Sequence, residues 1–182
     1  MDVHLQPYAK DEILVIDSTV TDRSVLLDAL QRDIEVVILP SDVDGLSFLA
    51  DVLAKRSDLD ALHIVSHGNV GELRLGSATI SSDSLAGYRS ELSIIRKSLS
   101  SNADILLYGC NLSRDDIGSD FIVKLSDSLN TDLAASNDVT GHSGNGGDWI
   151  LEDHVGEIAT ISIFDPQLVN RYEGVLAAGV VS

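Results

Sequence analysis

The 182-residue chain has one cysteine, Cys110, so no internal disulfide can staple the fold and packing must hold it together. It has only 12 Lys and Arg against 29 Asp and Glu, a formal net charge of −17. That excludes nucleic acid as a partner, because neutralising phosphates takes clustered cations. It also disfavours anionic membrane surfaces. No run is long and apolar enough to cross a bilayer, so membrane insertion is not expected. The opening MDVHLQPYAKDE lacks a basic stretch followed by an apolar one, so it is not a Sec signal peptide. What remains is an acidic, soluble chain whose 44% apolar content suffices for one well-filled core.

Two periodicities alternate along it. Short β-branched runs occur at 13–17, 35–39, 61–66, 104–109 and 132–136. Helical spacing fills the gaps, as in TDRSVLLDALQRD, DGLSFLADVLAKRS, SSDSLAGYRSELSIIRKSLSS and SRDDIGSDFIVKLSDSLN. Nearly continuous apolar strands separated by helices predict an α/β fold: a mostly parallel central sheet covered by helices on both faces. ELRLGSATI reads as a small hairpin turning at Gly76-Ser77, inserted after the third core strand. NDVTGHSGNGGDW reads as a long loop, and WILEDHVGEIATISIF as one or two antiparallel strands. Residues 1–10, which include His4, are expected to be a flexible N-terminus. Residues 11–165 should form the domain, and 166–182 a tail or linker to a downstream region.

The chemistry concentrates at two strand ends. ALHIVSHGN stops at His67-Gly68, and ADILLYGCN stops at Gly109-Cys110. In open parallel sheets ligands bind beyond the carboxyl ends of the strands. If the third and fourth core strands are neighbours, His67 and Cys110 share one cleft. A thiolate is a competent nucleophile, and an imidazole beside it can take its proton and later protonate a leaving amine. Gly68 lets backbone approach closely, its N–H and that of Cys110 can form an oxyanion hole, and Gly109 relieves crowding at the turn. The helix after Arg114 would turn its positive end towards the thiol.

The segments IDSTV, LHIVSHG, ILLYGCN, LAASNDVTG and GGDWILE, over roughly residues 11–165, resemble the bacterial domain DUF4347, itself similar to the caspase-like (clan CD) cysteine peptidases. The resemblance implies a caspase-like three-layer sandwich and a Cys–His dyad of Cys110 and His67. It also implies an S1 pocket from Asp17, Ser18, Ser136, Asn137 and Asp138. Two acids in one pocket would favour Arg or Lys at P1. Caspases place Ala before the Cys and Gly two residues after it, whereas here Gly109 precedes Cys110 and Asn111 follows. The implied setting is a large secreted or surface-displayed adhesin-like bacterial protein, exported by a non-Sec route. The implied substrate is a polypeptide, including the protein's own downstream chain, with Arg171 as a candidate cleavage site. The alternative is a catalytically inactive binding or structural module.

Other polar positions have plainer readings. His63, in mid-strand, lies about 13 Å along an extended chain from His67, too far to share a metal with it, and reads as a core histidine. His142, Asp148, Glu152, Asp153 and His154 supply donor types for Ca²⁺ or Zn²⁺, but no spacing among them matches a known loop. No metal or other cofactor is expected, Ca²⁺ being the one ion the acids would suit. Trp149 is expected to pack the last strand against a helix.

Overall fold

The computed structural model describes residues 11–179. The expected N-terminal segment 1–10 and residues 180–182 lie outside the described residues. The elements run β1 (Glu12–Asp17), α1 (Arg23–Asp28), β2 (Glu35–Leu39), α2 (Gly45–Leu53), β3 (Leu59–Val65), β4 (Gly68–Asn69), β5 (Glu72–Leu75) and β6 (Ala78–Ser81). They continue with α3 (Arg89–Ser98), β7 (Leu99–Tyr108), α4 (Asp115–Leu129), β8 (Asp132–Ala135), β9 (Asp153–Val155) and α5 (Pro166–Val169).

Six strands form the central sheet in the order β2-β1-β3-β7-β8-β9. All pair in parallel except β9, which closes the edge antiparallel to β8. The apolar runs of β1, β3, β7 and β8 are buried on both faces, as a parallel sheet demands, while the edge strand β2 leaves Glu35 and Ile38 exposed. One face carries Leu46, Leu49 and Leu53 of α2, Leu92 and Ile95 of α3, and Phe121 and Leu125 of α4. The other carries Leu26 of α1, Val169 of α5, Tyr172 and Leu176. The expected hairpin is present as β5 and β6, turning at Gly76-Ser77, and Gly68-Asn69 adds a third strand to it.

Two expectations need correction. WILEDHVGEIATISIF contributes only the three residues of β9, because its carbonyls and amides are taken up by loop contacts. Asp104, for example, accepts from the backbone N–H groups of Ala159 and Thr160 at 3.0 and 2.8 Å. The domain also does not end at 165. Residues 166–179 fold back over the sheet, with Val169, Tyr172 and Leu176 buried in its second core, so this stretch is part of the domain rather than a linker.

Within β3, His63 is fully buried, and its Nε2–H donates to Glu12 at 2.8 Å. Arg32 holds the same carboxylate at 2.7 Å. Burial alone would raise the Glu12 carboxyl, but hydrogen bonds from His63 and Arg32 hold it below its ordinary value. Burial pushes the His63 imidazole down, so it sits neutral in the core. His63 is the core histidine its mid-strand place predicts.

Candidate functional site

β3 and β7 are hydrogen-bonded neighbours in parallel register, with Val65 opposite Tyr108. Continuing that register one residue, Ser66 N–H donates to the Tyr108 carbonyl at 3.1 Å. The chain ends that carry His67 and Cys110 therefore stand level at the carboxyl edge of the sheet. The glycines explain how they fit. A Cβ on Gly68 would fall 2.8 Å from the Cys110 carbonyl oxygen, and one on Gly109 would fall 2.9 Å from that of Ser66. Both strand ends approach each other through bare backbone.

After Cys110 the chain reverses at Asn111, which takes the left-handed conformation (φ 57°) that asparagine tolerates better than most residues. The loop after β8 pins this turn. Asn111 N–H donates to the Asp138 carbonyl at 2.7 Å, and Ser113 N–H to the Ser136 carbonyl at 3.1 Å. The start of α4 carries Asp115 and Asp116 in its first turn, so its positive end is met by its own acids.

The Cys110 thiol is buried. Its sulfur accepts from Thr140 N–H at 3.2 Å and lies 3.4 Å from the Thr140 carbonyl. Burial pushes the thiol up, opposed in part by the backbone groups of Thr140 and Leu176. His67 is half-buried. Its Nε2 is 3.4 Å from the Thr19 carbonyl, a long contact that orients the ring, and its buried Nδ1 has no partner among the described residues. No hydrogen bond joins His67 to Cys110 among the described residues. Sequence reasoning missed both Thr19 and Thr140. Each acts through its backbone, which leaves no side-chain signal to read.

What closes the cleft is the chain itself. The Leu176 carbonyl accepts from Gly68 N–H at 2.8 Å and from Cys110 N–H at 3.1 Å. Leu176 N–H donates to the Thr140 carbonyl at 2.9 Å, His142 N–H to the Gly174 carbonyl at 2.9 Å, and Ala178 N–H to the Gly68 carbonyl at 2.8 Å. Gly174–Ala178 is thus an extended strap, bridged antiparallel to Gly141 at Val175 and parallel to Gly68 at Ala177. Surface cavities near 1100 and 610 Å³ are lined elsewhere.

The residues expected to form S1 have other work. Asp17 is 1% exposed, and both its oxygens are engaged, one by Thr19 N–H and Oγ1–H (2.9 and 2.6 Å) and the other by Gly76 N–H (2.7 Å). It organises a turn, with both oxygens turned to donors of Thr19 and Gly76. Ser18 is held through its backbone, donating to Leu39 and accepting from Arg23. Ser136 Oγ–H is spent on Asp138, and Asn137 N–H donates to Glu152 at 3.0 Å. Arg171 is exposed just past α5, and the carbonyl at the strand ends belongs to Leu176 instead.

Among the polar positions, Asp138, Asp148 and Glu152 bring carboxylate oxygens within 4.8 Å of one another, without His142, Asp153 or His154. Each already accepts an internal hydrogen bond. Trp149 packs on Tyr108, Phe164 and Tyr172, so it anchors the loop to the second core.

The sequence profile described as "Domain of unknown function (DUF4347)" matches residues 13–176. No curated protein matches the chain. Among solved structures, an aromatic-amino-acid aminotransferase from Burkholderia pseudomallei, covalently bound to pyridoxal phosphate, is similar at 16% identity and TM-score 0.39, over 70% of this chain and 31% of that one. An aromatic amino acid aminotransferase with 3-indolepropionic acid is similar at 12% identity and TM-score 0.39, over 69% of this chain and 32% of that one. The chain thus spans about a third of the length of these enzymes, and likeness this loose assigns neither topology nor activity.

Proposed function

The chain belongs to the DUF4347 family, and we propose that its domain is a caspase-like cysteine endopeptidase with Cys110 as nucleophile and His67 as general acid/base. One observation carries the reading: two backbone N–H groups, from Gly68 and Cys110, converge on a single carbonyl oxygen at 2.8 and 3.1 Å. That is the spacing an oxyanion hole needs around the charge that develops on a peptide carbonyl. The nucleophile of such a site belongs on the residue that supplies one of those N–H groups, and Cys110 does. With Nε2–H turned to Thr19, His67 keeps Nδ1 as its basic nitrogen, free to carry a proton to a leaving amine.

The reaction needs no metal or organic cofactor. Its substrate is a polypeptide, and its role is to process or self-release part of a large exported, surface-displayed protein. The test is to incubate the chain with downstream sequence attached and map new amino termini. Cleavage that disappears in Cys110→Ala supports the reading, and an inert mixture overturns it.

A second reading, a non-catalytic binding module on the same scaffold, is favoured by the buried, raised thiol. It requires Cys110 to resist iodoacetamide whether or not the strap is displaced.

A further inference from the structure

The strap poses a question that the peptidase reading alone does not answer: why the pair of N–H groups is filled by a carbonyl of the same chain. A loop that merely covered a core would satisfy its backbone anywhere along the sheet edge. Gly174–Ala178 instead runs through the junction of three segments, each at the edge where His67 and Cys110 stand. The Thr140–His142 loop pairs with the residues before the Leu176 carbonyl, and Gly68 pairs with those after it. This is how a groove holds an extended peptide, with main-chain bonds fixing register and alternate side chains filling pockets. Leu176 fills such a pocket. It is 0% exposed and belongs to the apolar cluster containing Val65, Tyr108, Cys110 and Tyr172.

Resting on the peptidase reading, we propose that Gly174–Ala178 is the domain's own substrate, held in cis with the Leu176–Ala177 peptide bond set for attack by Cys110. The P1 side chain is then apolar leucine rather than Arg or Lys, and the cut lies after Leu176 rather than Arg171. The Cys110 sulfur, flanked by Thr140 and by Leu176 backbone, bonds to the Leu176 carbonyl carbon as the thiol proton passes to His67. The carbonyl oxygen takes up negative charge between Gly68 N–H and Cys110 N–H. As the carbonyl re-forms, the C–N bond breaks and the Ala177 nitrogen takes the proton from His67. Gly68, the residue after His67, is bridged to Ala177 through the Leu176 carbonyl and the Ala178 N–H, which brackets the scissile bond beside the histidine's segment. Water then attacks the Leu176 thioester, giving a carboxylate at Leu176 and returning the thiol. The same occupancy keeps external polypeptides out of the cleft until the strap is cut.

Whole-protein mass spectrometry of the 182-residue chain reads the outcome directly. The expected product ends at Leu176 and has lost Ala177–Ser182. Cys110→Ser should abolish the cut and His67→Ala slow it by about 10²- to 10⁴-fold, both with unchanged circular dichroism. Ala177→Pro should also block it, by making the scissile amide tertiary and leaving the Leu176 carbonyl in place. A Cys110-dependent cut elsewhere, after Arg171 included, overturns this inference and leaves the peptidase reading standing. A cut at Leu176 that persists in Cys110→Ser overturns it as the work of another protease. If the chain stays whole the inference also falls, and the chain with downstream sequence attached then decides the peptidase reading separately: a Cys110-dependent cut in it keeps that reading, and no cut removes it.

Discussion

His63 and His67 belong to one strand and its exit, yet their surroundings make them different residues. His63 is fully buried and donates to Glu12, which Arg32 also holds, so its proton is fixed by partners. His67 is half-buried, and its ring makes one long hydrogen-bond contact, to the Thr19 carbonyl, while the buried Nδ1 of each ring has no partner among the described residues. The first imidazole is committed to a buried carboxylate, and the second meets only a backbone carbonyl at long range. The difference teaches where to look in a parallel sheet. Groups in mid-strand must be satisfied by neighbours, whereas those past the carboxyl ends can stay uncommitted.

The sharpest way to break the comparison is His63→Ala. It removes a partner from a buried carboxylate and leaves a cavity, so unfolding in urea should show a loss of about 3 kcal/mol. Gly68→Ala comes next. Its Cβ would press on the Cys110 carbonyl and on Leu112 (2.8 and 2.7 Å), costing about 1–3 kcal/mol in the same measurement and misaligning the N–H pair.

Acid should weaken the His63–Glu12 pair in wild-type protein. Both His63 and Glu12 are held below their ordinary values of 6.5 and 4.5, so the unfolded chain takes up protons first. Stability is therefore full above pH 6.5, declines as pH falls through the His63 range, and declines again below 4.5. Thermal midpoints across that range check the direction, and His63→Leu should remove the first decline. The smallest effect on stability belongs to His67→Ala, within about 0.5 kcal/mol of wild type. The same variant should show the largest loss of Cys110-dependent cleavage, and equal losses of stability at 63 and 67 would dissolve the distinction.

Much of this was legible beforehand. The β-branched runs at 13–17, 35–39, 61–66 and 104–109 correspond to β1, β2, β3 and β7, because parallel strands buried on both faces must be apolar throughout. The hairpin at Gly76-Ser77 announced itself through a turn pair between alternating residues. The abrupt endings at His67 and Cys110 pointed to one edge of the sheet, and the register of β3 with β7 places them there. Asp17 was less legible. An acid at a strand end looks the same in sequence whether it faces a ligand or closes a turn on Thr19 and Gly76. The tail was misread for a related reason: LAAG, residues 176–179, is small and apolar, and only the backbone partners it meets distinguish a strap from a linker.

By itself the sequence determined which segments become strands and helices, and which two reactive side chains emerge at strand ends, since both follow from local periodicity and from glycine beside each. Only the tertiary structure decided what surrounds them. The Thr19 carbonyl under His67, the Thr140 backbone beside the sulfur and the Leu176 carbonyl between Gly68 and Cys110 are all main-chain groups brought together from distant parts of the chain. Every residue carries the same main-chain groups, so no pattern of side chains can announce which of them will meet.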